Sequence, residues 1–122
     1  MTQEPLSDGA KAAGFGRMSL AKRYSGDLEG QGTGEMLGDW SQGFGSGGYV
    51  AMETVQGTLA GHRGSFVLQH SSIMTDGVPA QMIQVVPSSG AGELAGLSGQ
   101  LVIVITEGQH SYEFTYSMPA AA

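Results

Sequence analysis

The sequence predicts an all-β protein: an antiparallel, strongly twisted β-barrel or near-barrel. Three observations lead there. Apolar and polar residues alternate through run after run, as on strands that bury one face; glycine-centred turn sequences separate the runs; and no helix of ordinary length fits anywhere. The 122 residues suffice for a single domain, 1–122, with a real core. Glycine occurs 21 times, more than twice its usual share of about 7%. Only 13% of residues are charged, whereas a disordered chain would want more charge and fewer β-branched and aromatic residues.

Taken in order, residues 1–16 read as an irregular lead-in, with Pro5, Gly9, Gly14 and Gly16 among small polar residues. From Arg17 to Tyr24 the pattern alternates, with Met18, Leu20 and Tyr24 on one side, and Ser25-Gly26-Asp27 turns the chain into Leu28–Met36. A three-residue loop there sets Arg23 opposite Glu29 and Arg17 opposite Glu35. That makes the two carboxylates an exposed charge ladder, not a catalytic pair. Gly38 to Gly48 reads as a surface loop pinned by Trp40 and Phe44, or else as a flap over one barrel mouth.

Tyr49–Ala60 and Ser65–Ile73 form the clearest hairpin, predicted to turn at His62-Arg63. That register sets Leu59 opposite Phe66, Val55 opposite His70 and Glu53 opposite Ser72, all facing inward. Thr75-Asp76-Gly77 then turns the chain into Val78–Val86. Pro87 closes this run, and Gly92 to Leu97 is predicted as the one short helical turn, with Leu94 and Leu97 on one side of it plugging a barrel corner. Gly90-Ala91-Gly92-Glu93-Leu94-Ala95 also fits a dinucleotide-binding fingerprint, but Gly96 and Gly99 leave no room for the helix that motif needs. The last hairpin, Gln100–Thr106 with His110–Met118, turns at Glu107-Gly108-Gln109. With three residues in that loop, Tyr112, Phe114 and Tyr116 face inward and Leu101, Ile103 and Ile105 face outward.

Three stretches carry a family resemblance: Tyr24-Ser25-Gly26-Asp27-Leu28-Glu29-Gly30, Gly57-Thr58-Leu59-Ala60-Gly61-His62-Arg63-Gly64-Ser65-Phe66-Val67-Leu68-Gln69-His70, and the glycine corner Ser89 to Gly99. Together they closely resemble DUF3224, a bacterial family of unknown function. The corner alone is more distantly similar to one in allene oxide cyclases and dirigent proteins, which implies an allene oxide cyclase-like antiparallel barrel of seven or eight strands. Members usually begin with a further strand ahead of the segment that here starts near Glu4. In allene oxide cyclases that strand carries the proposed catalytic glutamate, so the resemblance implies no catalytic residue in this chain.

A net charge of −6 argues against nucleic acid and anionic membrane as partners. The longest aliphatic run, Leu101 to Ile105, is far short of the ~20 residues of a membrane helix. Cysteine is absent, which allows a reducing compartment, and a cytoplasmic location is expected. No metal and no cofactor are expected, since His62, His70 and His110 lack ligand spacing and no Walker or Gly-x-Ser-x-Gly sequence occurs. The predicted inward face leaves two polar side chains, Glu53 and His70, one diagonal step apart. They are the candidate acid/base pair, and equally a buried hydrogen-bonded pair that fixes register.

Two functional classes use the same cavity. A binding barrel would hold a small apolar ligand among Leu59, Phe66, Leu68, Tyr112, Phe114 and Tyr116; a cyclase or isomerase would fold a hydrophobic substrate there. A third class, a structural or interaction barrel, would have its interior filled by its own side chains. The outward row of Leu101, Ile103 and Ile105 needs a cover, so a homo-oligomer, most simply a dimer, is expected with that row at or near its interface.

Overall fold

Alternation of buried and exposed residues produces one antiparallel sheet of nine strands. The computed structural model describes residues 2–43 and 45–119. Its elements are β1 (Thr2–Glu4), α1 (Asp8–Ala12), β2 (Phe15–Tyr24), β3 (Leu28–Asp39), β4 (Gly47–Leu59), β5 (His62–Thr75), β6 (Val78–Val85), β7 (Ala91–Gly92), β8 (Ser98–Thr106) and β9 (Gln109–Ser117). The strands lie in the order β1-β2-β3-β4-β5-β6-β8-β9, and β7 pairs with β5 from the corner. The all-β antiparallel class expected from the sequence is the observed one. No helix among the described residues is long and apolar enough to cross a membrane.

The sheet coils because its glycines allow it to. Gly30, Gly57 and Gly64 form one cross-strand row on β3, β4 and β5, and a Cβ at any of them would run into a neighbouring strand's carbonyl oxygen. Among the described residues, side chains of the last strand reach across to the β2–β3 turn and to β5. The Tyr112 hydroxyl on β9 lies 2.8 Å from Ser25 O and 3.0 Å from Leu28 O and accepts from Leu28 N at 3.2 Å, reaching the β2–β3 turn. Phe114 packs beside Phe66 with ring centroids 5.8 Å apart.

Several expectations change. The expected irregular lead-in, residues 1–16, carries regular elements from Thr2 on: β1 pairs with β2, and Ser7 caps α1 by accepting from Ala10 N. The corner from Gly92 to Leu97 is a sequence of tight turns with Ala95 N→Gly92 O and Leu97 N→Leu94 O bonds, and α1 is the only helix among the described residues. The leucines of the corner still plug the core, since Leu94 and Leu97 are buried. In the loop after β3, Trp40 stacks on Tyr49 and the Asp39 carboxylate accepts from Ser41 and Gln42. Phe44, the other expected anchor, lies outside the described residues.

Three hairpins turn on a residue-glycine pair with both φ angles in the left-handed region: Ala60-Gly61 (49° and 86°), Asp76-Gly77 (49° and 82°) and Glu107-Gly108 (51° and 80°). Such two-residue turns match the twist of the flanking strands. They correct two predicted registers. The β4–β5 turn is Ala60-Gly61, not His62-Arg63, so Leu59 faces His62, Val55 faces Phe66, Glu53 faces Leu68 and Ala51 faces His70. That slip of four residues leaves every side chain on its predicted face. The β8–β9 turn is Glu107-Gly108, one residue shorter than expected, which pairs Leu101 with Phe114 and Ile103 with Tyr112.

This one-residue change moves Leu101 and Ile103 inside. Leu101 is buried, and Ile103 is partly buried against the same core as the aromatic row. The expected outward patch of Leu101, Ile103 and Ile105 is therefore corrected for its first two members, and the Ile105 side chain lies outside the described part. A third register, β2–β3, slips by two residues: Arg17 faces Leu37 and Arg23 faces Gln31. Leu28 spends its backbone groups on Tyr112 in that turn. Arg17 still meets Glu35 diagonally, its Nη2 lying 2.8 Å from Oε1.

Candidate functional site

Glu53 lies on β4 at an inward position, where an unpaired carboxylate would be strongly disfavoured. It is fully buried and held by three partners. The Tyr24 hydroxyl donates to Oε2 at 2.7 Å, His70 Nε2 lies 2.8 Å from Oε1, and Lys22 Nζ lies 3.6 Å from Oε1. Alternation on β2 aims Lys22 and Tyr24 at the same face, and Gly32 on β3 makes room. A Cβ at Gly32 would coincide with the carboxylate, so the missing side chain is where Glu53 sits.

Burial raises the Glu53 pKa, and the bonds from His70 and Tyr24 together with the Lys22 charge outweigh that, leaving it below the ordinary glutamate value. Glu53 is therefore a carboxylate that only accepts, and His70 Nε2 carries the hydrogen between them. Burial, then the bond and charge of Glu53, push Tyr24 well above the ordinary tyrosine range and keep its phenol protonated.

Above this cluster a cleft of about 860 Å³ opens along the seam between β2 and β9. Lys22 and Tyr24 form one side of it; Leu101, Ile103, Tyr112, Phe114 and Tyr116 form the other; Leu28 and Leu59 contribute from the turns. Of the ligand-binding residues expected from sequence, Leu59, Tyr112, Phe114 and Tyr116 line the cleft, while Phe66 and Leu68 are buried in the core. Glu53 and His70 come together but do not line the cleft.

Sequence reasoning missed Lys22 and the polar role of Tyr24. The signal was present, because Lys22 is two residues from both Leu20 and Tyr24 and must share their face.

A coiled antiparallel sheet with a buried carboxylate and a cleft along its open seam defines a small barrel-like β-protein. The sequence matches DUF3224, described as a protein of unknown function, over residues 1–116, and the chain belongs to that family. It is also similar to a protein of unknown function from the DUF3224 family of Shewanella oneidensis MR-1, whose crystal structure was determined at 1.84 Å. The two share 48% sequence identity and a TM-score of 0.91, over 98% of this chain and 90% of that one. No curated protein matches the sequence.

Proposed function

We propose that the protein binds a small, largely apolar molecule in the cleft between β2 and β9. The observation that carries this reading is the cleft's size and its apolar wall: about 860 Å³, within the range of small-molecule sites, with Leu28, Leu59, Leu101, Ile103, Phe114 and Tyr116 on one part of its lining and Lys22, Asp27 and Ser111 on another. Elsewhere the interior is filled, with Phe66, Leu68, Leu94 and Leu97 all buried in one core. This packing favours the seam over a barrel axis as the place for a ligand.

The cyclase or isomerase reading is weaker. A general base must reach the proton it removes, and Glu53 lies behind Tyr24 and Lys22 with both oxygens engaged. Glu53 and His70 support the wall of the cleft, and their polar bonds fix the positions of the two groups that line it.

Native mass spectrometry of the purified protein, with titration of a fluorescent apolar dye, tests the binding reading. A retained molecule or saturable dye uptake that Phe114→Ala weakens at least fivefold is expected. Absence of both, or uptake indifferent to Phe114→Ala, would overturn it.

A further inference from the structure

The polar requirement of the cleft comes from Lys22. Its side chain is 35% exposed, and its ammonium is in charge contact with Glu53 but beyond hydrogen-bond distance. The two Glu53 oxygens already have donors in Tyr24 and His70. Among the described residues no acceptor takes an N–H of Lys22 within hydrogen-bond distance, so up to three donors face a cleft of mixed lining, in which Ser25, Asp27 and Ser111 stand beside the apolar residues. Arg23, the next residue, is exposed on the opposite face of β2, and Glu113 likewise projects from the outer face of β9. Arg23, Asp27 and Glu113 also border the cleft, and Lys22 is the charged side chain that alternation puts on the inward face of β2.

We propose that the ligand of this cleft is an apolar molecule bearing one carboxylate, accepted by the Lys22 ammonium while its body lies along Phe114 and Tyr116. This rests on the binding reading above and narrows it to a chemical class. Tyr24 and His70 already hold the Glu53 oxygens, so the hydrogens of the ammonium are left to make a charge-assisted bond to a ligand carboxylate. One ammonium without an inward guanidinium suits a monoanion better than a phosphate dianion, which wants several donors.

Calorimetric titration of 4-butylbenzoate and its methyl ester separates this proposal from the reading beneath it. The carboxylate should bind at least tenfold tighter than the ester. Lys22→Met should bring the two within twofold by weakening the carboxylate alone, and Lys22→Arg should keep the preference. Equal binding of acid and ester to the unaltered protein would overturn the carboxylate and leave the apolar cleft standing. Failure of both to bind at millimolar concentration would overturn the binding reading itself.

A different surface carries a second proposal. On the outer face, Phe15, Leu37, Val50, Met52, Ile73 and Met82 are each 40% to 61% exposed and occupy adjoining cross-strand rows, with Leu37 opposite Val50 and Ser71 between Val50 and Met82. They present roughly 500 Å² of apolar surface, the upper end of what a monomer leaves bare. A standard interface hides about 800 Å² per partner, and homodimer interfaces are about 65% apolar, which calls for the same apolar area. Outward positions from Gly48 to Thr58, Ser65 to Ile73 and Val78 to Val85 carry no Asp, Glu, Lys or Arg, although the chain has a net charge of −6, and the charges that border the patch on β2 and β3 beside Leu37 and Met52, Arg17 and Glu35, are paired with each other. Two like-charged copies approach with least repulsion where neither bears charge.

We infer that this face pairs with the same face of a second copy, in place of the Leu101 row that the fold turns inward. Light scattering on a size-exclusion column should give twice the mass of one chain at micromolar concentration. Val50→Glu, or Met82→Glu should the first fail to fold, should give a single chain with an unchanged circular dichroism spectrum. A monomeric unaltered protein, or a dimer that survives both substitutions, would overturn the inference.

Discussion

The β4–β5 and β8–β9 hairpins turn on the same kind of residue-glycine pair, yet they differ in what a register error does to them. In β4–β5 the expected and observed registers differ by four residues, an even number, and Leu59, Phe66, Val55, Glu53 and His70 stay inward. Glu53 and His70 even remain diagonal neighbours, because their pairing lies midway between the two registers. In β8–β9 the difference is one residue, and Leu101 and Ile103 change sides. Parity, more than register, decides which residues build a site.

The largest effect that could break this comparison lies in the first hairpin. Glu53→Ala strands His70, Tyr24 and Lys22 without their carboxylate, and removing one partner of such a buried set costs about 3–5 kcal/mol. Urea unfolding should show it; a loss within ~1 kcal/mol would mean the cluster is solvated.

Parity in the second hairpin is tested by neighbours on β8. Ile103→Lys places an ammonium against the core and should destabilise by about 2 kcal/mol, whereas Val102→Lys, on the exposed side, should stay within ~0.5 kcal/mol. Thermal unfolding in which the two substitutions exchange ranks would restore the longer turn.

Much of this was legible in the sequence and some was not, for identifiable reasons. Alternation is local and survives any even slip, so the inward set on β4 and β5 was readable without the true turn. Turn length is a matter of which residue adopts φ > 0, and Ala60 and Glu107 are not residues that announce it. Tyr112 takes over the backbone groups of Leu28 across 84 residues of sequence, a contact without local trace. The cleft depends on how two distant ends of the sheet approach, so Lys22 could be placed on a face but not beside Glu53.

Smaller effects sharpen the same contrast. Gly32→Ala puts a methyl group where the Glu53 carboxylate sits and should cost about 1–3 kcal/mol, an overpacking effect confined to the polar cluster. Smallest of all, Ala60→Asn supplies a residue that favours the left-handed conformation of this turn and should stabilise by about 0.5 kcal/mol. Destabilisation in that variant would argue for a turn elsewhere.

The central claim is that the first hairpin holds an ionised carboxylate in the core, which fixes Tyr24 and Lys22 at the cleft. A carboxyl whose pKa is lowered by folding adds stability above its unfolded value, and that stability is lost as pH falls through the folded value. The direct measurement is the carbon-13 shift of the Glu53 side-chain carboxyl against pH. It should remain that of a carboxylate through the ordinary glutamate range around 4.5 and change only below it, together with acid unfolding. A midpoint at or above that value would show the carboxyl to be neutral or free, and would contradict the account.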